Sequence, residues 1–137
     1  MLIGTQTDFI ISHFGNEAGI RMLAEAGFDS IDYSLFNYQN KDKPFTLPDN
    51  EFRAFFENIG QIIRKNNLVT GQTHSPFPTY TDNCEEDEFL LDILIKSIKA
   101  TAYLGSKYTI IHPAMVKERR YGCYTEEMKE INMKRYI

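Results

Sequence analysis

The feature that most constrains this chain is a repeated switch of hydrophobic period. Short runs that alternate every second residue give way to longer runs with apolar residues three and four apart. Strand-like runs begin near residues 2, 30, 68 and 108, in "LIGT", "SIDYSLF", "LVTGQTH" and "YTIIH". Helical stripes lie between them. The first is Ile20, Leu23, Ala24 and Phe28. The second is Phe52, Phe55, Phe56, Ile59, Ile62 and Ile63. The third is Leu91, Leu94, Ile95, Ile98 and Ala102, and "TEEMKEINMKRYI" opens a fourth helix. The punctuation agrees: Asp49 or Asn50, Asn83 and Thr125 are placed to cap helix starts, and Gly27 and Gly105 to end helices. Strands that alternate with helices through short connections pair in parallel with right-handed crossovers. "LAEAGFDSIDYS" and "TAYLGSKYTIIHP" are weak copies of one such unit.

Two parallel folds compete. A doubly wound nucleotide-binding sheet carries a Gly-rich turn after its first strand, and "TQTDFIISHFGNEAG" has none. A barrel of eight units needs about 250 residues, and this chain has 137. The reading is therefore one α/β domain over residues 1–137: a parallel (β/α) half-barrel of four strand–helix units, the first half of a TIM barrel. The expected strand order is 1-2-3-4 with the helices on one outer face.

Composition excludes some functions. A net charge of -4 lacks the basic face that nucleic acid requires. Cys84 and Cys123 form no CxxC pair and read as reduced thiols. No stretch approaches the ~18 apolar residues of a membrane span, and the N-terminus lacks the basic start of a signal peptide. A cytoplasmic protein without membrane or nucleic-acid partners is expected.

Chemistry gathers at the carboxyl ends of parallel strands. Strand three ends in "THSP" and strand four in "IIHP", so His74 and His112 fall at neighbouring strand tips. Parallel strands lie about 4.8 Å apart, so two such imidazoles can reach one ligand. Histidine suits proton transfer near neutral pH and divalent metals; the alternative is that each ring only bonds a loop carbonyl. Gln6, Asp8, Ser34 and Asn37 follow strands one and two on the same rim. Lys117, Arg119 and Arg120 follow strand four, either as a solvated loop or as a phosphate clamp. His13 reads as structural. Asp32 lies on the polar face of strand two, lining an interior or facing solvent at an edge.

"LAEAGFDSIDYSL", "THSPFP" and "IKATAYLGSKYTIIHP" resemble the first half of the xylose isomerase-like TIM barrel superfamily, which includes sugar and sugar-phosphate isomerases, epimerases and apurinic endonucleases. The resemblance implies a divalent metal (Mn, Mg, Co or Zn) in the full-length proteins, held by carboxylates and a histidine on strands five to eight, which this chain lacks. Metal binding by this chain alone is accordingly expected to be weak or nil. The resemblance also implies that His74 and His112 bind metal in the endonuclease branch, or line the substrate pocket and assist proton transfer in the isomerase branch; by their place on the same rim, Gln6, Ser34, Asn37 and Arg119 are expected on the substrate. The activity it implies is metal-assisted proton transfer next to the carbonyl of a sugar or sugar phosphate, incomplete in this chain. A metal-dependent phosphodiester hydrolase of the endonuclease branch is the alternative, and a non-catalytic half-barrel that binds a ligand or partner is another.

The ending "EINMKRYI" stops inside a helical pattern and reads as truncated. A half-barrel also leaves strands one and four unpaired. Its inner face is expected to carry Leu2 or Ile3, Ile31 or Tyr33, Val69, and Ile110 or Ile111, too apolar for water. A homodimer is the expected remedy.

Overall fold

Strand β2 (Ser30–Ser34) organises the rest of the molecule. Ile31 and Tyr33 are 1% and 0% exposed, while Ser30 and Asp32 beside them are half-buried. One side of the strand is thus sealed by protein and the other is open. In the computed structural model, which describes residues 1–38, 44–115 and 125–137, β2 is flanked by β1 (Gly4–Gln6) and β3 (Val69–His74), and β4 (Thr109–Ile110) pairs with β3. All pairings are parallel, in the order β1-β2-β3-β4. This is the expected half-barrel of strand–helix units, open at β1 and β4.

Helices α1 (Asp8–Glu25), α2 (Asp49–Lys65) and α3 (Cys84–Tyr103) follow the first three strands, and α4 (Glu126–Tyr136) follows the fourth. One core joins Ile20 and Leu23 of α1, Phe52, Phe56, Ile59 and Ile63 of α2, and Ile93 and Ala100 of α3 to the outward side chains of β2. Phe45, Phe52 and Phe56 pack edge to face, with centroids 4.9–6.2 Å apart. Burying each such ring stabilises the fold by roughly 1.5–3 kcal/mol. Asn83 and Thr125 cap as expected, each accepting a hydrogen bond from the backbone three residues on. Gly27 and Gly105 take left-handed φ values of 88° and 87° where α1 and α3 end.

Four expectations need correction. First, α1 begins at Asp8, inside the segment expected to be a turn, and breaks at Gly15 (φ 75°). The early turns form because Ile10 and Ile11 pack against the core. Second, Pro48 stands at the N-cap of α2, so Asp49 lies in the first turn and caps nothing with its side chain.

Third, α3 is rotated from the expected stripe. Leu90, Ile93, Leu94, Ser97 and Thr101 are buried, while Leu91, Ile95 and Ile98 are 38%, 48% and 52% exposed. The buried face looks polar in sequence, but its hydroxyls are satisfied. Ser97 donates to the Ile93 carbonyl, and Thr101 to the Ser97 carbonyl.

Fourth, the inner face of the sheet is not apolar. Ile31 and Tyr33 point into the helical layer; Leu2, Ile3 and Val69 are exposed; Gly4, Gln6, Ser30, Asp32, Gly71 and Gln72 line an inner groove of about 410 Å³. The face is thus more polar than expected at Ser30, Asp32 and Gln72, while Leu2, Ile3 and Val69 remain exposed apolar residues.

The pairing of β2 with β3 contains a bulge. Ile31 faces Thr70 and Asp32 faces Gln72, so Gly71 is the extra residue. A Cβ at Gly71 would come within 2.6 Å of the Ser30 hydroxyl. Among the described residues, no helix is long and apolar enough to cross a membrane.

Candidate functional site

The carboxyl ends of β3 and β4 bring His74 and His112 together. The backbone ties that place them are short: Ser75 N–H donates to the Ile110 carbonyl at 2.9 Å, and the Thr79 hydroxyl to the His112 carbonyl at 3.1 Å. The two imidazole centroids are 5.6 Å apart and tilted by 32°. Phe36, in a turn of 3-10 helix at Phe36–Tyr38, lies 5.9 Å from His74 and 6.2 Å from His112. Phe77 stands edge-on to His112 at 5.5 Å. The rings therefore sit side by side between two aromatic walls.

Below them is a polar chain. His74 Nδ1 lies 2.9 Å from Asp32 Oδ1 and 2.7 Å from Oδ2. Gln72 Nε2 donates to Asp32 Oδ2 at 2.7 Å. Asp32, left open between interior and edge by the sequence, is an interior residue that holds His74. Burial, and then the neighbouring His74, push the His112 pKa below the ordinary imidazole value. A neutral imidazole of this kind accepts a proton or a hydrogen bond.

The other expected residues divide. Gln6 is on the exposed edge strand and lines the inner groove with Asp32 and Gln72. Ser34 is 4% exposed, and its hydroxyl accepts the Phe36 N–H at 3.3 Å, which shapes the turn beneath the histidines. Asn37 belongs to that turn, and its side chain is not among those described. Arg119, with Lys117 and Arg120, lies outside the described residues. His13 is exposed on α1, with Nδ1 2.8 Å from the Phe9 carbonyl oxygen. Sequence reasoning missed Gln72, Phe36 and Phe77. Period-2 alternation in "SIDYS" does put Asp32 on the face of Ser34, but the bulge hides that Gln72 shares it.

As a metal site the donor set is partial. Among the described residues, no three His, Cys, Asp or Glu side chains gather round one point. A histidine whose second nitrogen is held by a carboxylate is the arrangement that metal-binding histidines use, so His74 and His112 fit as two ligands of a larger shell. Another groove, of about 590 Å³, lies elsewhere, among Leu91, Ile95, Ile98, Ile111 and Tyr136. Its lining is apolar apart from a few groups such as Arg135, and it has none of the acid–base chemistry of the strand tips.

A sugar phosphate isomerase/epimerase from Parabacteroides distasonis superposes on 98% of this chain with a TM-score of 0.60 at 14% identity. The fold is that of a parallel (β/α) half-barrel, the first half of a TIM barrel. The same half-barrel matches a xylose isomerase domain protein from Alicyclobacillus acidocaldarius over 84% of this chain (TM-score 0.53, 16% identity). It also matches a D-psicose 3-epimerase solved in the presence of D-fructose over 96% of the chain (TM-score 0.58, 12% identity). These matches span 44%, 38% and 44% of the respective structures. In sequence, the half-barrel is 32% identical over 81 residues to a protein described as "probable endonuclease 4" from Mycoplasma mobile, covering 59% of this chain and 24% of that one. A protein of the same description from Mycoplasmopsis agalactiae is 22% identical over 63 residues, 46% of this chain and 22% of that protein. The half-barrel thus spans about a quarter of the curated relatives it matches. No family model matches it.

Proposed function

We propose that this half-barrel forms one side of the pocket of a sugar or sugar-phosphate isomerase or epimerase. The observation that carries the reading is the pair His74 and His112, side by side at the tips of β3 and β4 with Asp32 behind His74. The solved structures of the same fold, two of them epimerases or isomerases of sugars by description, support it. In this chemistry a proton leaves the carbon next to a carbonyl. Neutral His112 is suited to accept a hydroxyl hydrogen or relay a proton. His74, oriented by Asp32, is suited to fix a second hydroxyl. Phe36 and Phe77 exclude water from one side, Gln6, Asn37 and Arg119 are the further substrate contacts we assign, and the buried Ser34 supports the turn that carries Phe36. A divalent metal, when bound, supplies polarisation of the carbonyl. In this reading carboxylates from other strands would hold it, which leaves the imidazoles of His74 and His112 to the hydroxyls; in the hydrolase reading below, the two imidazoles would serve the metal instead. We further propose that the open edges of β1 and β4 pair with a second copy in a two-fold dimer; sedimentation at micromolar concentration tests this, and a persistent monomer refutes it.

The match to the Mycoplasma mobile protein favours a second reading, metal-dependent hydrolysis of a phosphodiester with both histidines as ligands. One experiment separates the two. Histidine side-chain resonances are followed while D-fructose or an abasic-site oligonucleotide is titrated in, each with manganese or zinc. Shifts at His74 and His112 with the ketose alone support the isomerase reading. Shifts with the oligonucleotide alone overturn it in favour of the hydrolase.

A further inference from the structure

Asp32 is an acceptor only, because an ionised carboxylate carries no proton. It has two partners in the described structure: Gln72 Nε2 at 2.7 Å from Oδ2, and His74 Nδ1 at 2.9 and 2.7 Å from Oδ1 and Oδ2. The Gln72 amide nitrogen can only donate, so it fastens the carboxylate from the strand next door. The His74 nitrogen that meets this carboxylate must then carry a hydrogen. Nε2, on the far side of the ring, makes no hydrogen bond among the described residues. The side chains of both His74 and Asp32 are 18% exposed, so water competes only partly for these bonds.

We infer that Asp32, fastened by Gln72, is a positioning residue that holds His74 in the Nδ1–H tautomer, so that Nε2 presents a bare lone pair at the strand tips beside His112. The strand-tip pocket then takes a ligand that brings a hydrogen-bond donor, such as a polyol hydroxyl, and turns away an anionic oxygen at that position. The preference for a donor deepens the isomerase reading and rests on it for its meaning; the tautomer itself stands on the geometry alone.

The test is nitrogen-15 detection of the imidazole rings at about pH 8, where an ordinary imidazole is neutral, with His74→Gln used to assign the resonances. The expected result is a protonated Nδ1 and an unprotonated Nε2 for His74 in the native chain. An Nε2–H form, an average of two tautomers, or an imidazolium overturns the inference, and this reading needs no variant to fold. Asp32→Asn is then expected to invert the tautomer. Gln72 would hold the new side chain's oxygen and turn its amide hydrogens toward Nδ1. Asp32→Ala is expected to release the ring to the mixed state of a free imidazole; retention of a pure Nδ1–H form in that variant would show that another group sets it. Addition of D-fructose is expected to shift His74 Nε2 in the native chain and not in Asp32→Asn. A native chain with the expected tautomer but no response to the ketose refutes the sugar reading and leaves the positioning role standing.

Discussion

Ile31 and Asp32 are adjacent in sequence and live under opposite rules. Ile31 faces the helices, is 1% exposed, and belongs to a core shared by three helices. Asp32 faces the inner groove and spends its charge on Gln72 and His74. The outer face of the sheet holds the fold together, and the inner face holds a ring in place. Because a strand alternates its side chains, one short segment serves both purposes, and a substitution should disturb one without the other.

The sharpest test is at the outer face. Phe56 is fully buried against Phe45, Phe52, Phe55 and Tyr38. Phe56→Ala should cost about 3–5 kcal/mol in urea unfolding. In variants that remain folded, the His74 and His112 resonances should hardly move. A large shift there would show that the faces are coupled.

Thr73 is the residue most able to break the comparison. It is 0% exposed on the outer face, yet its hydroxyl bonds Thr101 at 2.7 Å and Thr109 at 2.9 Å, tying β3 to both α3 and β4. Thr73→Val should cost about 1–2 kcal/mol, because the buried Thr101 hydroxyl and the half-buried Thr109 hydroxyl lose a partner. A neutral or stabilising result would mean that apolar packing alone governs that face.

The inner face should show itself in pH dependence. The folded-state pKa of His112 is lowered, by burial and then by His74. The unfolded chain therefore binds more protons at this residue, and stability falls as pH drops through the ordinary imidazole value near 6.5. His112→Gln should flatten the decline between about pH 7.5 and 5.5, measured by urea midpoints. An unchanged slope would assign the decline to other groups.

The smallest effect is expected on α3. Ile98, at 52% exposed, should tolerate Ala within about 0.5 kcal/mol, whereas Ile93, at 2%, should lose about 2–5 kcal/mol on the same change. Reversal of that order would restore the rotation of the helix that its sequence suggests.

The strands, helices and strand-tip histidines were legible because each rests on local pattern: period, caps, and a His–Pro ending. The face of α3 was not, since "LLDILIKSI" is apolar on more than one side and the buried side is marked by Ser97 and Thr101. Their satisfaction depends on carbonyls and on a partner strand. Asp32 was visible as a residue but not as a partner, because its bonds span 40 and 42 positions of sequence. The inner face was misjudged for a related reason: alternation tells which residues share a side, and only the helices tell which side is inside.

Gly71 shows how little separates those sides. Thr70 and Thr73 both point into the helical layer, so two residues lie between them where a regular strand would have one. If Gly71 were kept but took a place in regular alternation instead of bulging, the run that ends in His74 would be shifted in parity, and His74 would be directed at α3 rather than at His112. The location of the chemistry is thus decided by whether this one residue is counted in the alternation or set aside from it. A single-codon deletion at this glycine would leave Thr70 and Gln72 alternating regularly against Ile31 and Asp32 and keep His74 on the inner face, so the pocket depends on where the chain bulges rather than on how many residues it contains.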